Sequence, residues 1–126
     1  MVYDPNNVFA KILKGQIPNK TVYEDAYVLA FNDIAPQAPV HILVIPKGSY
    51  ISMTDFALRA SVTERAAFFG AIGQIILDKK LDEKGYRVIS NCGDHGGQEV
   101  PHFHVHILAG KKLGRMLGAT EIEAKP

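Results

Sequence analysis

Between residues 102 and 106 histidine alternates strictly with an apolar residue, His102-Phe103-His104-Val105-His106, and Ile107 and Leu108 follow. A period of two is the mark of a β-strand with one buried face. Successive side chains on a strand point to opposite sides, so His102, His104 and His106 share one face while Phe103, Val105 and Ile107 share the other. Neighbouring imidazoles on such a face stand roughly 7 Å apart. Three cations at that spacing disfavour one another and burial works in the same direction, so at least one ring is expected to be neutral near pH 7. A neutral imidazole can be a nucleophile, a general base or a metal ligand, and its neighbours can donate or relay protons. Alternating histidines also suit zinc or copper, but the tract holds no cysteine, and Asp94 and Glu99 stand at no recognisable ligand spacing.

The loop ahead of this strand, Gly93-Asp94-His95-Gly96-Gly97-Gln98-Glu99-Val100-Pro101, carries three glycines. Glycine lets backbone amides turn toward a ligand, so the loop is expected to cradle a phosphate beside the neutral imidazole. It is neither a Walker loop nor a dinucleotide fingerprint, which leaves kinase and dehydrogenase chemistry without support. The charge balance fits a small anion only. Fourteen Lys and Arg against thirteen Asp and Glu give +1, too little to hold a nucleic-acid polymer or a membrane surface. The single cysteine, Cys92, cannot form an intrachain disulfide, no apolar run reaches the length of a membrane span, and residues 1–5 lack a signal pattern, so the expected location is the cytoplasm.

At 126 residues, 47% of them apolar, the chain has the size of one domain, expected to span 1–126 with a tail over about 111–126. Asn7 ahead of Val8, Phe9, Ile12 and Leu13, with Gly15 behind, predicts a short N-terminal helix. Residues 21–31 read as a hairpin turning at Glu24-Asp25, and 40–46 as a central strand closed by Pro46. Ser61-Val62-Thr63-Glu64 matches a capping box and opens a long helix with a stripe of Phe68, Phe69, Ile72, Ile75 and Ile76, predicted to run to about Lys84. Gly70 and Gly73 each cost that helix about 1 kcal/mol against Ala, so they predict close packing on another backbone, a second subunit being one candidate. Strands are expected at 86–91 and 102–108. This order predicts an α+β fold on an antiparallel sheet of about five strands.

The run Gly96-Gly97-Gln98-Glu99-Val100-Pro101-His102-Phe103-His104-Val105-His106-Ile107-Leu108 resembles the signature of the histidine triad (HIT) superfamily, and within it the branch of histidine triad nucleotide-binding proteins, bacterial members especially. Further stretches match in order: Val8-Phe9-Ala10-Lys11-Ile12, Gln16-Ile17-Pro18, Val22-Tyr23-Glu24-Asp25, 29–34, 36–47 and Gly85-Tyr86-Arg87. The resemblance implies a HIT-like homodimer that binds purine nucleotides and hydrolyses purine nucleoside 5′-phosphoramidates, with no cofactor and no metal. By position it makes His104 the nucleophile, His102 and His41 the proton relay to the leaving amine, and His106 a phosphate contact. It places Asp33 on the ribose hydroxyls, with Val8, Phe9, Ile12, Phe31 and Ile34 around the base, and Asn91, Gly97, Gln98 and Glu99 around the phosphate and ribose. Without it, Phe9, Ile12, Phe31 and Ile34 would be read as core. The chain departs from the pattern at Pro101, often aromatic in the family, and at Glu99, a serine in the eukaryotic proteins. Its C-terminal part also lacks tryptophan. Dinucleoside polyphosphate hydrolases and nucleotidyl transferases of the superfamily share the triad, and so would a non-catalytic nucleotide- or metal-binding protein.

Overall fold

The structure, a computed structural model, describes residues 2–118; the tail expected from about 111 lies in part outside them. Five strands form one antiparallel sheet: β1 (Thr21–Glu24), β2 (Val28–Asn32), β3 (Val40–Pro46), β4 (Tyr86–Ile89) and β5 (Val105–Ala109), in the order β1-β2-β3-β5-β4. Four helices accompany them: α1 (Val8–Leu13), α2 (Met53–Arg59), α3 (Val62–Asp78) and a single turn α4 (Gly93–Gly96). This is the expected α+β architecture.

Side-chain alternation divides the sheet into two faces. Val28, Ala30, Ile42, Val44, Val105, Ile107 and Ala109 point to one of them, where α3 packs through Phe68, Ala71, Ile72, Ile75 and Ile76. Phe56, Phe68 and Phe103 meet there with ring centroids 5.0–5.1 Å apart, each such pair contributing about 0.5–1.5 kcal/mol beyond the area it buries. Leu29, Phe31, Leu43 and Ile45 point to the other face and are covered by Phe9, Ile12 and Leu13. Asn7 caps α1, its Oδ1 accepting from the Ala10 amide at 2.9 Å. His41 and His106 belong to this second face, because Leu43 stands opposite His106 in the β3–β5 register.

Four details differ from the sequence expectation, each for a physical reason. Helix α2 went unanticipated although Ser52 caps it, accepting from the Asp55 amide. Helix α3 has its capping box as expected but ends at Asp78. There Lys80 turns left-handed, at φ 57°, and a short 3₁₀ turn at Leu81–Glu83 buries Leu81. Phe69, expected on the buried stripe, is 80% exposed, and a Cβ at Gly70 or Gly73 would meet nothing within 4 Å. No backbone among the described residues approaches those glycines. Strand β5 starts at Val105 rather than His102, because the next ladder position on β3 falls at Pro46, which has no N–H. The period of two persists all the same: Phe103 joins the core with Val105 and Ile107.

Gly110 follows β5 at φ 98°, and a Cβ there would lie 2.7 Å from Pro39 Cβ. Gly110→Ala should destabilise the fold by at least about 2 kcal/mol, since a left-handed backbone and a rigid ring oppose it together. Gly73→Ala, where no atom of the described residues opposes a Cβ, should leave stability unchanged or raise it by up to about 1 kcal/mol in protein diluted to the monomer. Urea unfolding of the two variants measures both.

Candidate active site

A cleft of about 450 Å³ opens on the second face of the sheet. Val8, Phe9 and Ile12 of α1, Ile17, Pro18, Phe31, Leu43 and Val100 give it apolar walls, while Asp33, Asn91, Glu99, His104 and His106 supply polar groups. Of the residues expected around a nucleotide, Val8, Phe9, Ile12, Phe31, Asp33, Ile34, Asn91, Gly97, Glu99, His104 and His106 line this cleft. His41, His102 and Gln98 do not.

The tautomers of the rings follow from their partners. A carbonyl oxygen only accepts, so His104 Nδ1, 2.7 Å from the His102 carbonyl, carries the proton. Its Nε2 lone pair is left unprotonated. His102 donates from Nε2 to the Pro46 carbonyl at 2.9 Å, and its bare Nδ1 accepts from the Tyr3 hydroxyl at 2.7 Å. His41 Nδ1 accepts from the Gln37 amide at 3.0 Å, which puts its proton on Nε2. That N–H donates to His106 Nδ1 at 2.9 Å, with Asp33 Oδ2 also within 3.3 Å. His106 consequently bears its own proton on Nε2.

Burial is the first cause of the acid-shifted histidines. It holds His102 at about 4, with His104 adding to the effect, and His106 at about 4, with His104 and His41 adding. His104 is pushed below its ordinary value by burial as well, against the opposing pull of the His102 carbonyl, Asp33 and Glu99. The neutral rings expected of the alternating tract are therefore present, held by burial more than by mutual repulsion.

The geometry departs from expectation at three places. His102 is fully buried with both nitrogens engaged and does not reach the cleft, whereas His41, beside Asp33, is hydrogen-bonded to His106 in the cleft wall. Gln98 braces the loop instead of facing the cleft: its Nε2 donates to the Ile51 and Val100 carbonyls, and its Oε1 accepts from the Gly93 amide. The glycine loop folds into α4, and the Gly97 and Gln98 amides donate to the Asp94 and Gly93 carbonyls. Those two amides are not free to cradle a phosphate; the amide of Glu99 has no acceptor among the described residues. Sequence reasoning left Ile17, Pro18 and Leu43 without a role, although Leu43 faces His106 across the ladder and strand register alone would place it there. Nothing local in the sequence connects Tyr3 to the triad.

Asp33, His41 and His106 each bring one potential ligand atom within 4.8 Å of the others, a spacing that suits a metal ion. With the Gln37 N–H on Nδ1, however, His41 offers N–H and not a lone pair at Nε2. The cluster as it stands presents a donor where a metal ion would need a lone pair.

Hydrogen-bonded imidazoles, one of them with an unprotonated Nε2, set in an apolar cleft on an antiparallel sheet, suit a histidine-based transferase or hydrolase. Residues 14–113 match the HIT domain model. The chain is 56% identical to a 13.2 kDa HIT-like protein of Azospirillum brasilense, over 91% of this chain and 94% of that one. It is 42% identical to the purine nucleoside phosphoramidase of Escherichia coli, over 87% and 92% respectively. A histidine triad protein of Clostridium difficile superposes with a TM-score of 0.78 at 47% identity, over 90% of this chain and 98% of that one. The chain belongs to the HIT family.

The depressed histidines make folding stability pH-dependent. Between the ordinary value near 6.5 and about 4, the unfolded chain binds protons that folded His102 and His106 refuse. Their contribution is therefore neutral above about pH 6.5 and turns destabilising as pH falls toward about 4. The carboxylates with lowered values, Asp55 and Glu64, act mainly below that window. Tm should fall between about pH 7 and about pH 5; calorimetry showing a flat Tm over that interval would contradict the burial of these rings.

Proposed function

We propose that the chain hydrolyses purine nucleoside 5′-phosphoramidates to the nucleoside monophosphate and a free amine, through a nucleotidyl-His104 intermediate. The observation that carries this reading is the pairing of an unprotonated His104 Nε2 with a protonated His106 Nε2 beside the same cleft. In the first step His104 Nε2 attacks phosphorus, the P–N bond breaks, and the amine leaves with the proton of His106 Nε2. His106 passes on its Nε2 proton and recovers one from the water of the second step, while the His41 Nε2–H, 2.9 Å from His106 Nδ1 and 3.3 Å from Asp33 Oδ2, stays on His41 and keeps the exchange at His106 Nε2. In the second step water attacks phosphorus, gives up a proton to the same relay and releases His104. The amide of Glu99, which has no acceptor among the described residues, is the donor proposed for the developing oxyanion; the Glu99 carboxylate would repel a phosphate and is not assigned to it.

Val8, Ile12, Phe31 and Ile34 form the apolar part of the cleft suited to a base. Asp33 retains acceptor capacity for ribose hydroxyls after taking the Ala35 amide at 2.8 Å. Purified protein should release AMP from adenosine 5′-phosphoramidates with or without chelator, and His104→Ala should lower kcat/KM by on the order of 10³-fold or more. Turnover that survives the substitution removes His104 as nucleophile, and turnover lost to chelator alone points to a metal. Cleavage of dinucleoside polyphosphates in preference to phosphoramidates assigns the chain to the sibling chemistry.

The protein is further proposed to be a homodimer in the cytoplasm. Val62, Phe69 and Leu77, 65–80% exposed, fall on one stripe of α3 with the open Gly70 and Gly73. Tyr86 and Val88 on the edge strand β4 are exposed apolar groups as well. None of the described helices is long and apolar enough to cross a membrane. Sedimentation equilibrium should give twice the chain mass, and Phe69→Glu should shift the protein toward the monomer. A wild-type protein sedimenting as a monomer would rule the dimer out.

A further inference from the structure

We propose that Tyr3 is a positioning residue for the nucleophilic imidazole, acting through His102. The kinetic consequence rests on the hydrolase reading; the contact itself does not.

The Tyr3 hydroxyl lies 2.7 Å from His102 Nδ1, and the two rings meet edge-on at 5.7 Å. His102 has no exposed surface, and its other nitrogen is spent on the Pro46 carbonyl. Among the described residues the phenol is thus the single donor given to a buried acceptor, and a buried acceptor left unpaired is unfavourable. Residue 102 matters to chemistry through its backbone as well as its ring. Its carbonyl oxygen is the group that holds His104 Nδ1–H at 2.7 Å and so turns Nε2 toward the cleft. Phe9 stands nearly perpendicular to both rings, with centroids at 6.3 Å and 5.0 Å, so a tilt of one imidazole is felt by the other. Tyr3 Oη, His102, the His102 carbonyl and His104 form one chain of contacts from the N-terminal segment to the attacking atom.

Loss of the phenol has two effects on this chain. It frees the His102 ring to reorient, and it removes a donor that favours the neutral ring, so His102 takes a proton more readily. The groups facing His102 are Tyr3 from the N-terminal segment, the Pro46 carbonyl from β3, Phe9 from α1 and His104 from its own segment. Of these only Tyr3 and His104 titrate. Behind Tyr3, a surface cavity is lined by Ser52, Asp55 and Arg59, and the last two are paired with each other at 3.1 Å. A proton on His102 sets a positive charge next to His104 and opposes the build-up of positive charge on the nucleophile.

The test is Tyr3→Phe, which keeps the ring and removes the O–H. The expected result is a kcat lower by on the order of tenfold with KM changed less than about twofold, and an acid limb of kcat/KM displaced upward by about half a pH unit or more. Nitrogen-15 spectra of the histidine rings give a readout independent of turnover: wild-type His102 should show a single neutral form protonated at Nε2, and Tyr3→Phe a mixture or an altered titration. Kinetics and ring spectra unchanged in Tyr3→Phe overturn the proposal, and so does a fall in kcat that tracks lost Tm with the pH profile and the His102 signals unmoved. If the wild-type protein turns over no phosphoramidate, the hydrolase reading fails; Tyr3 is then decided by the spectra, an altered His102 signal supporting it and an unaltered one overturning it.

Discussion

Pro46 has no N–H to give the strand beside it, so the ladder between β3 and β5 cannot continue past Val105. The three residues ahead of that point are held by other means. The Pro46 carbonyl takes His102 Nε2–H, the Tyr50 carbonyl takes the Phe103 amide at 2.7 Å, and the His102 carbonyl takes His104 Nδ1–H. Backbone oxygens that regular pairing would have consumed thereby set the tautomers of two imidazoles. The chain keeps its side-chain alternation through this stretch without keeping its ladder, and that combination puts Phe103 in the core while His104 turns to the cleft.

The electrostatics of the site follow from the same arrangement. His41, His102 and His104 are buried and His106 half-buried, and the partners provided to these rings are carbonyls, an amide, a phenol and other imidazoles. Asp33 is the carboxylate at the end of the chain, 3.3 Å from His41 Nε2. A nearly neutral protein can accommodate a phosphate in this way, because N–H groups whose direction is fixed in advance do not appear in a sum of formal charges.

The period-two tract, the central apolar strand and the capped helix α3 were legible because each is a local pattern of side chains against a regular backbone. The sheet order and the face carrying His41 beside His106 follow from such patterns once the strands pair. Helix α2 was missed although its Ser52 cap is written in the sequence, because seven residues of mixed polarity give little periodicity. At the site, what could not be read were contacts made by chemistry without pattern. Gln98 looks like a ligand contact in sequence but spends its carboxamide on Ile51, Val100 and Gly93. The glycines at 96 and 97 look like an open cradle but close a helical turn, with Gly97 left-handed at φ 76°. Tyr3 and His102 are 99 positions apart, and no property of either residue names the other.

That separation also has a consequence in time. Synthesis runs from the N-terminus, so Tyr3, the short helix α1 and the strand ending in Pro46 exist long before residues 102–106 leave the ribosome. The emerging protein waits with an apolar shelf and a set of unclaimed acceptors, and the histidine-bearing segment is inserted among them near the end. A nascent chain released early has the walls of the cleft but lacks His104 and His106, so an incomplete copy of this protein has no imidazole facing it.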